Sequence, residues 1–126
     1  MNALVVDDSS TMRKILRGLL EGLGFSVGEA GNGREALEYL EVNEEPDLVL
    51  LDWHMPEVDG LEFLKRVRAD GRHKSMTITM VTAQQDLESV TTALECGASE
   101  YIMKPFTEDI LREKLQLLEL ISMDSQ

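Results

Sequence analysis

The sequence predicts an α/β domain in which five strands form one parallel sheet with helices on both faces. Three observations carry this. Short apolar runs alternate five times with stretches of helical periodicity along 126 residues. The run Leu48-Val49-Leu50-Leu51 is apolar at every position, too continuous for a strand with one wet face. The helical stretches are bounded by residues suited to starting or stopping a helix: Gly22 and Gly24, Asn32, Asp59, Gly71, Gly97 and Thr107.

Ala3–Val6 is the first strand. After it, Met12, Ile15, Leu16, Leu19, Leu20 and Leu23 recur at helical spacing as one apolar stripe, stopped by Gly22 and Gly24. Phe25–Glu29 is a weaker strand, and Asn32-Gly33 opens a short helix carrying Ala36, Leu37 and Leu40. Pro46 punctuates the chain before the third strand. Asp59 with Glu62 forms a capping-box-like pair, and Leu61, Leu64 and Val67 supply the buried side of that helix, which Gly71 ends. Met76–Val81 is the fourth strand; Leu87, Val90, Ala93 and Leu94 mark the fourth helix, for which Gly97 is an αL stop. Tyr101-Ile102-Met103 is the fifth strand. Thr107 caps a last helix running to about Leu120.

Five β-then-α units in one doubly wound sheet give the predicted strand order 2-1-3-4-5, the flavodoxin-like arrangement, as a single domain spanning 1–126. Ligands bind at the carboxyl ends of the strands where such an order reverses. Strand 1 runs into Asp7-Asp8, strand 3 ends in Asp52, strand 4 in Thr82 and strand 5 in Lys104. Three carboxylates, a hydroxyl and an ammonium then converge on one cleft. Carboxylates this close repel unless one is protonated or a cation joins them. Oxygen donors with room for water suit Mg²⁺, with Mn²⁺ as the alternative ion. A divalent cation, a lysine and a hydroxyl together form a clamp for a phosphoryl group, and a carboxylate can be its nucleophile. Asp52 lies centrally and takes that role.

Composition narrows the partners. With 24 Asp and Glu against 12 Lys and Arg, the net charge of −12 leaves no basic surplus for a nucleic acid or an anionic membrane. The single cysteine, Cys96, excludes an internal disulfide and offers no zinc cluster. No apolar run spans a bilayer and no basic n-region precedes Ala3, so the expected setting is the cytoplasm.

The segments Leu4-Val5-Val6-Asp7-Asp8-Ser9-Ser10-Thr11-Met12-Arg13, Leu51-Asp52-Trp53-His54-Met55-Pro56, Val81-Thr82-Ala83 and Lys104-Pro105-Phe106 together resemble a response-regulator receiver domain of the chemotaxis type. The resemblance covers essentially the whole chain. It implies a switch of two-component signalling, phosphorylated on Asp52 by a sensor histidine kinase, with Mg²⁺ held by Asp7 or Asp8, Asp52 and the backbone carbonyl of His54. It further implies that Thr82 and Lys104 grip the phosphoryl oxygens, that Lys104-Pro105 is cis, and that Tyr101 is an aromatic switch following Thr82. The fourth helix, fifth strand and fifth helix would present the altered face to a target protein, the flagellar motor first among the possibilities. A monomer is expected, with no enzymatic activity beyond self-phosphorylation and autodephosphorylation.

Blander readings stand beside these. An isolated Asp7-Asp8 pair reads as a helix N-cap with a solvated neighbour; its register with Asp52 and Lys104 favours the site. The imidazole of His54 is the less favoured metal ligand, His73 reads as a solvated loop residue, Cys96 and the seven methionines as packing, and Trp53 as half-exposed. The last helix carries more apolar residues than one stripe needs, among them Ile110, Leu117 and Ile121. His54 and Gln84 occupy positions where the chemotaxis relatives usually carry Asn and an acid, implying a changed phosphoryl lifetime. Leu87 replaces a basic residue common on their motor-binding face, while Lys114 retains another. A phosphorelay shuttle between histidine proteins remains an alternative. A Mg²⁺-dependent small-molecule phosphohydrolase is disfavoured, because His54 stands where a second acid would serve as general acid. A flavin-nucleotide carrier is disfavoured because Asp7-Asp8 would repel its phosphate.

Overall fold

The computed structural model describes residues 1–53, 59–70, 76–83, 87–104 and 106–120, without the side chains of 82–83 and 87–89. The elements run β1 (Asn2–Val6), α1 (Ser10–Gly22), β2 (Ser26–Ala30), α2 (Gly33–Val42), β3 (Leu48–Asp52), α3 (Gly60–Ala69), β4 (Thr77–Ala83), α4 (Leu87–Glu95), β5 (Glu100–Lys104) and α5 (Glu108–Leu117). The strands form one parallel sheet in the order β2-β1-β3-β4-β5, as the sequence predicts.

Alternation along each central strand splits the core into two layers. Leu4, Val6, Val49, Leu51, Ile78 and Met80 point to one face, where Ala36 and Leu40 of α2, Phe63, Leu64 and Val67 of α3 and Ala93 of α4 cover them. Ala3, Val5, Leu48, Leu50, Val81 and Ile102 point to the other, under Leu16 and Leu20 of α1 and Leu111 and Leu115 of α5. Because β1 from Ala3 on and all of β3 up to Leu51 are buried on both faces, neither stretch carries a polar residue before the Asp that follows it.

Side-chain caps fix where the helices start. Ser9, Asn32, Asp59 and Thr107 each accept a hydrogen bond from the backbone N–H three residues on, worth about 1 kcal/mol apiece. Gly97 closes the turn after α4 at φ +111, and a Cβ there would meet Arg68 Cγ at 2.8 Å.

Several sequence expectations need correction. Ile15 is 51% exposed, at the edge of a stripe whose centre is Leu16 and Leu20. In α3 the buried residues are Phe63, Leu64 and Val67, while Leu61 is only half-buried. The fourth strand begins at Thr77 and runs on to Ala83, because its ladder with β5 continues to the Ala83–Lys104 pair. The last helix stops at Leu117, not Leu120: Glu119 adopts φ +61, and Leu120 N–H turns back to the carbonyl of Leu115 at 2.9 Å. Gly71, His73 and Ile121 lie outside the described residues.

Candidate functional site

The site stands at the carboxyl ends of β1, β3 and β5. Since Val6 pairs with Leu51, the residues just beyond, Asp7 and Asp52, come side by side. Asp7 is 2% exposed and Asp52 retains 13% of its side-chain exposure, whereas Asp8 faces solvent. One carboxylate oxygen from each of Asp7, Asp8 and Asp52 lies within 4.8 Å of the others. Lys104 ends β5, two strands from Asp52, and its flexible stem bridges the interval. Its Nζ lies 3.6 Å from Asp7 Oδ2 and 3.7 Å from Asp52 Oδ1. These are ion-pair separations, too long for hydrogen bonds.

Asp7 is held at three points. Its N–H donates to the carbonyl of Ala30 at 3.1 Å, its Oδ1 accepts from Ser9 N–H at 2.9 Å, and its own carbonyl accepts from Arg13 Nη1 at 2.6 Å. Its remaining oxygen, Oδ2, is buried with no hydrogen-bond partner. Among the described residues it is the one buried anionic oxygen so left. Burial raises the Asp52 carboxyl above its ordinary value; the Lys104 charge opposes this, the charges of Asp7 and then Asp8 reinforce it, and a backbone hydrogen bond from Trp53 lowers it again.

This donor set fits a hard divalent cation. The donors are oxygens only, too few to dehydrate the ion fully, and Asp7 Oδ2 needs a positive partner nearer than Lys104.

The structure thus brings Asp7, Asp8, Asp52 and Lys104 together. Thr82 lies in β4, one residue beyond the partner of Asp52, but its side chain is outside the described residues, as are His54, Gln84, Pro105 and the Leu87 side chain. Tyr101, in β5, is half-buried against the α2–α4 layer, with Lys114 Nζ 4.7 Å above its ring and 3.5 Å from Glu100 Oε1. Trp53 and Cys96 are half-buried against the same layer, as expected.

Three contributors escape the sequence reading. Ser9, not Asp7 or Asp8, caps α1 and so leaves both carboxylates for the cleft. Gly60 packs against the Asp52 backbone, where an added Cβ would meet the Asp52 carbonyl oxygen at 2.5 Å. Arg13 fastens the Asp7 carbonyl. Its one sequence signal is that a long helical side chain leans back toward the helix start.

A doubly wound sheet of this order, with an acidic cluster and a lysine at its switch point, defines a class of signalling domain. The family model of the response regulator receiver domain matches residues 3–116, and the chain belongs to that family. It is a receiver of the CheY chemotaxis type, a group of signalling proteins. It is 47% identical over 119 residues to the chemotaxis protein CheY1 of Helicobacter pylori, covering 94% of this chain and 96% of that one. It is 48% identical over 117 residues to the CheY homolog of Campylobacter jejuni, covering 92% and 90%. Among solved structures, the chemotaxis response regulator CheY4 of Vibrio cholerae superposes with a TM-score of 0.85 at 32% identity, covering 93% of this chain and 97% of that one. No helix among the described residues is long and apolar enough to cross a membrane.

Proposed function

We propose that this protein is a phosphorylation-dependent switch in which Asp52 accepts a phosphoryl group from a sensor histidine kinase. The observation that carries the reading is the convergence of Asp7, Asp8 and Asp52 within 4.8 Å, with Lys104 Nζ poised between Asp7 and Asp52. Asp7, Asp8, Asp52 and the backbone carbonyl of His54 would hold Mg²⁺, or Mn²⁺ in its place. Bound there, the ion would neutralise charge on the phosphoryl oxygens.

Asp52 is the nucleophile: its carboxylate oxygen forms the new O–P bond while the N–P bond of the phosphohistidine breaks, and the departing imidazole takes up a proton. The Lys104 ammonium, already within ion-pair distance of Asp52, meets the incoming phosphoryl charge, and the Thr82 hydroxyl donates to the same oxygens. The displacement of Thr82 draws Tyr101 inward, altering the α4-β5-α5 face. The target read by that face is the flagellar motor switch. The setting is a cytoplasmic monomer, with 1–126 acting as one receiver domain.

Intact mass after incubation with a small phosphodonor, with and without Mg²⁺, tests this on wild type and Asp52→Asn. A single hydroxylamine-labile phosphoryl group that needs Mg²⁺ and disappears in Asp52→Asn is the expected result. No adduct, together with no Trp53 fluorescence response to beryllofluoride, overturns it. Capture of a second histidine protein by the phosphorylated form, without motor components, would replace the motor target by a phosphorelay.

A further inference from the structure

We infer that Arg13 is a positioning residue for the cation site, acting through the backbone of Asp7. The inference rests on the reading of Asp7, Asp8 and Asp52 as a cation site. Arg13 stands in the first turn of α1, and its guanidinium is used on two sides. Nη1 donates to the Asp7 carbonyl at 2.6 Å, while Nε donates to Glu29 Oε1 at 3.1 Å. Glu29, on the edge strand β2, is itself fixed by Arg17 Nη1 at 2.9 Å. The Arg13 side chain is only 20% exposed, so its charged contacts are partly withdrawn from water.

The geometry gives this bond leverage. The Asp7 carbonyl belongs to the peptide that joins Asp7 to Asp8, and its direction sets the Asp7 ψ angle. That angle orients the carboxylate of Asp8 relative to Asp7, two of the three groups that converge. Ala30 fixes the peptide before Asp7 and Ser9 fixes its Oδ1. Among the described residues, Arg13 is the one that reaches the carbonyl side. The planar fork lets one group hold a β2 carboxylate and this carbonyl at once, which an ammonium does not do with the same directionality. Glu29 is accordingly the strut that aims the guanidinium.

Mg²⁺ titrations followed by Trp53 fluorescence on wild type, Arg13→Ala, Arg13→Lys and Glu29→Gln test the assignment. Each is paired with a thermal melt and amide hydrogen exchange at Ser9 in metal-free buffer. Arg13→Ala should weaken Mg²⁺ binding about tenfold, the usual scale for a group that orients a metal ligand, with Arg13→Lys and Glu29→Gln in between. Ser9 exchange should quicken without metal. With a small phosphodonor, the Mg²⁺ concentration for half-maximal Asp52 phosphorylation should rise while the rate at saturating Mg²⁺ stays near wild type. A lower melting temperature with unchanged Mg²⁺ affinity would mean that Arg13 only staples α1 to β2, and the inference fails alone. If wild type itself binds no Mg²⁺, the cation-site reading and this inference fall together.

Discussion

Lys104 Nζ lies 3.7 Å from Asp52 Oδ1 and nearly the same distance, 3.6 Å, from Asp7 Oδ2, so one ammonium serves two carboxylates and hydrogen-bonds neither. It sits where a cation of higher charge is wanted. With the exposed Asp8 alongside, three negative groups face one positive group, and burial together with Asp7 and Asp8 disfavours the ionised Asp52 in the folded chain.

Asp52→Asn should therefore stabilise the metal-free protein. Burial is the largest cause of the raised Asp52 carboxyl, with Asp7 and Asp8 adding to it against Lys104 and the Trp53 hydrogen bond. A carboxyl raised on folding binds its proton more tightly in the folded chain, so its ionisation opposes folding above that raised value. The penalty fades as pH falls through the folded value toward that of the unfolded chain. At pH 7 the variant should gain about 1 kcal/mol, or roughly 4 °C, and the difference from wild type should shrink on acidification. Calorimetry without metal checks this; an equal or lower melting temperature at pH 7 would contradict it.

Lys104→Met removes the ammonium that would compete with a divalent ion for Asp7 and Asp52. Mg²⁺ should then bind about fivefold tighter, near 1 kcal/mol, while the metal-free protein loses stability and Asp52 phosphorylation slows. Calorimetric titration separates the effects. Weaker Mg²⁺ binding would show that Lys104 orients the carboxylates instead of competing for them.

Gly60→Ala has a diagnostic sign. Alanine in place of glycine normally favours a helix, by roughly 1 kcal/mol in its interior. Here the new Cβ would stand 2.5 Å from the Asp52 carbonyl and 3.1 Å from Trp53 Cα, both backbone atoms. Relief requires moving the Asp52–Trp53 backbone. Urea unfolding should report a loss of about 2 kcal/mol, with slower phosphorylation of Asp52. A gain in stability would mean that this backbone yields freely.

The sheet and the place of Asp52 at its edge were legible because a buried parallel strand announces its own end. Leu48–Leu51 is followed at once by Asp52, and Ile102-Met103 by Lys104, so the change from apolar to charged marks the sheet edge. Fine placement was less legible where it depends on packing geometry. Ile15 fits the helical period but falls at the rim of the buried stripe, and Phe63 takes the place of Leu61 because the buried α3 stripe runs through Gly60, Phe63, Leu64 and Val67. Arg13 was invisible as a contributor, since its partner is a backbone carbonyl and its strut, Glu29, lies 16 residues away on another strand.

Thr79 tests the core in the same terms. It is 1% exposed on β4, beside Leu50 and two residues before Val81 on one face of the sheet, and its Oγ1 has no hydrogen-bond partner. A buried hydroxyl without a partner loses its water and receives nothing in return. Thr79→Val keeps the branched shape and should raise the unfolding free energy by about 1 kcal/mol. A loss of stability would reveal a hydrogen bond made by this hydroxyl in solution.

Lys114 joins α5 to the half-buried Tyr101 through the ring and through Glu100. Its Nζ is 4.7 Å above the Tyr101 ring and 3.5 Å from Glu100 Oε1, and that same oxygen accepts the Tyr101 backbone N–H at 2.9 Å. One ammonium thereby fixes both the ring and the backbone of the residue assigned as the switch. A partly exposed cation over a tyrosine contributes about 0.5–1 kcal/mol, so a double-mutant cycle of Lys114→Met with Tyr101→Leu should give a coupling of about that size. Glu100→Gln should reduce it by loosening the lysine. Coupling near zero would mean that Lys114 only passes over the ring, and that Tyr101 turns without resistance from α5. Coupling of the expected size makes α5 a brake on the switch: Lys114→Met should then raise target binding by the unphosphorylated protein, read by pull-down against wild type.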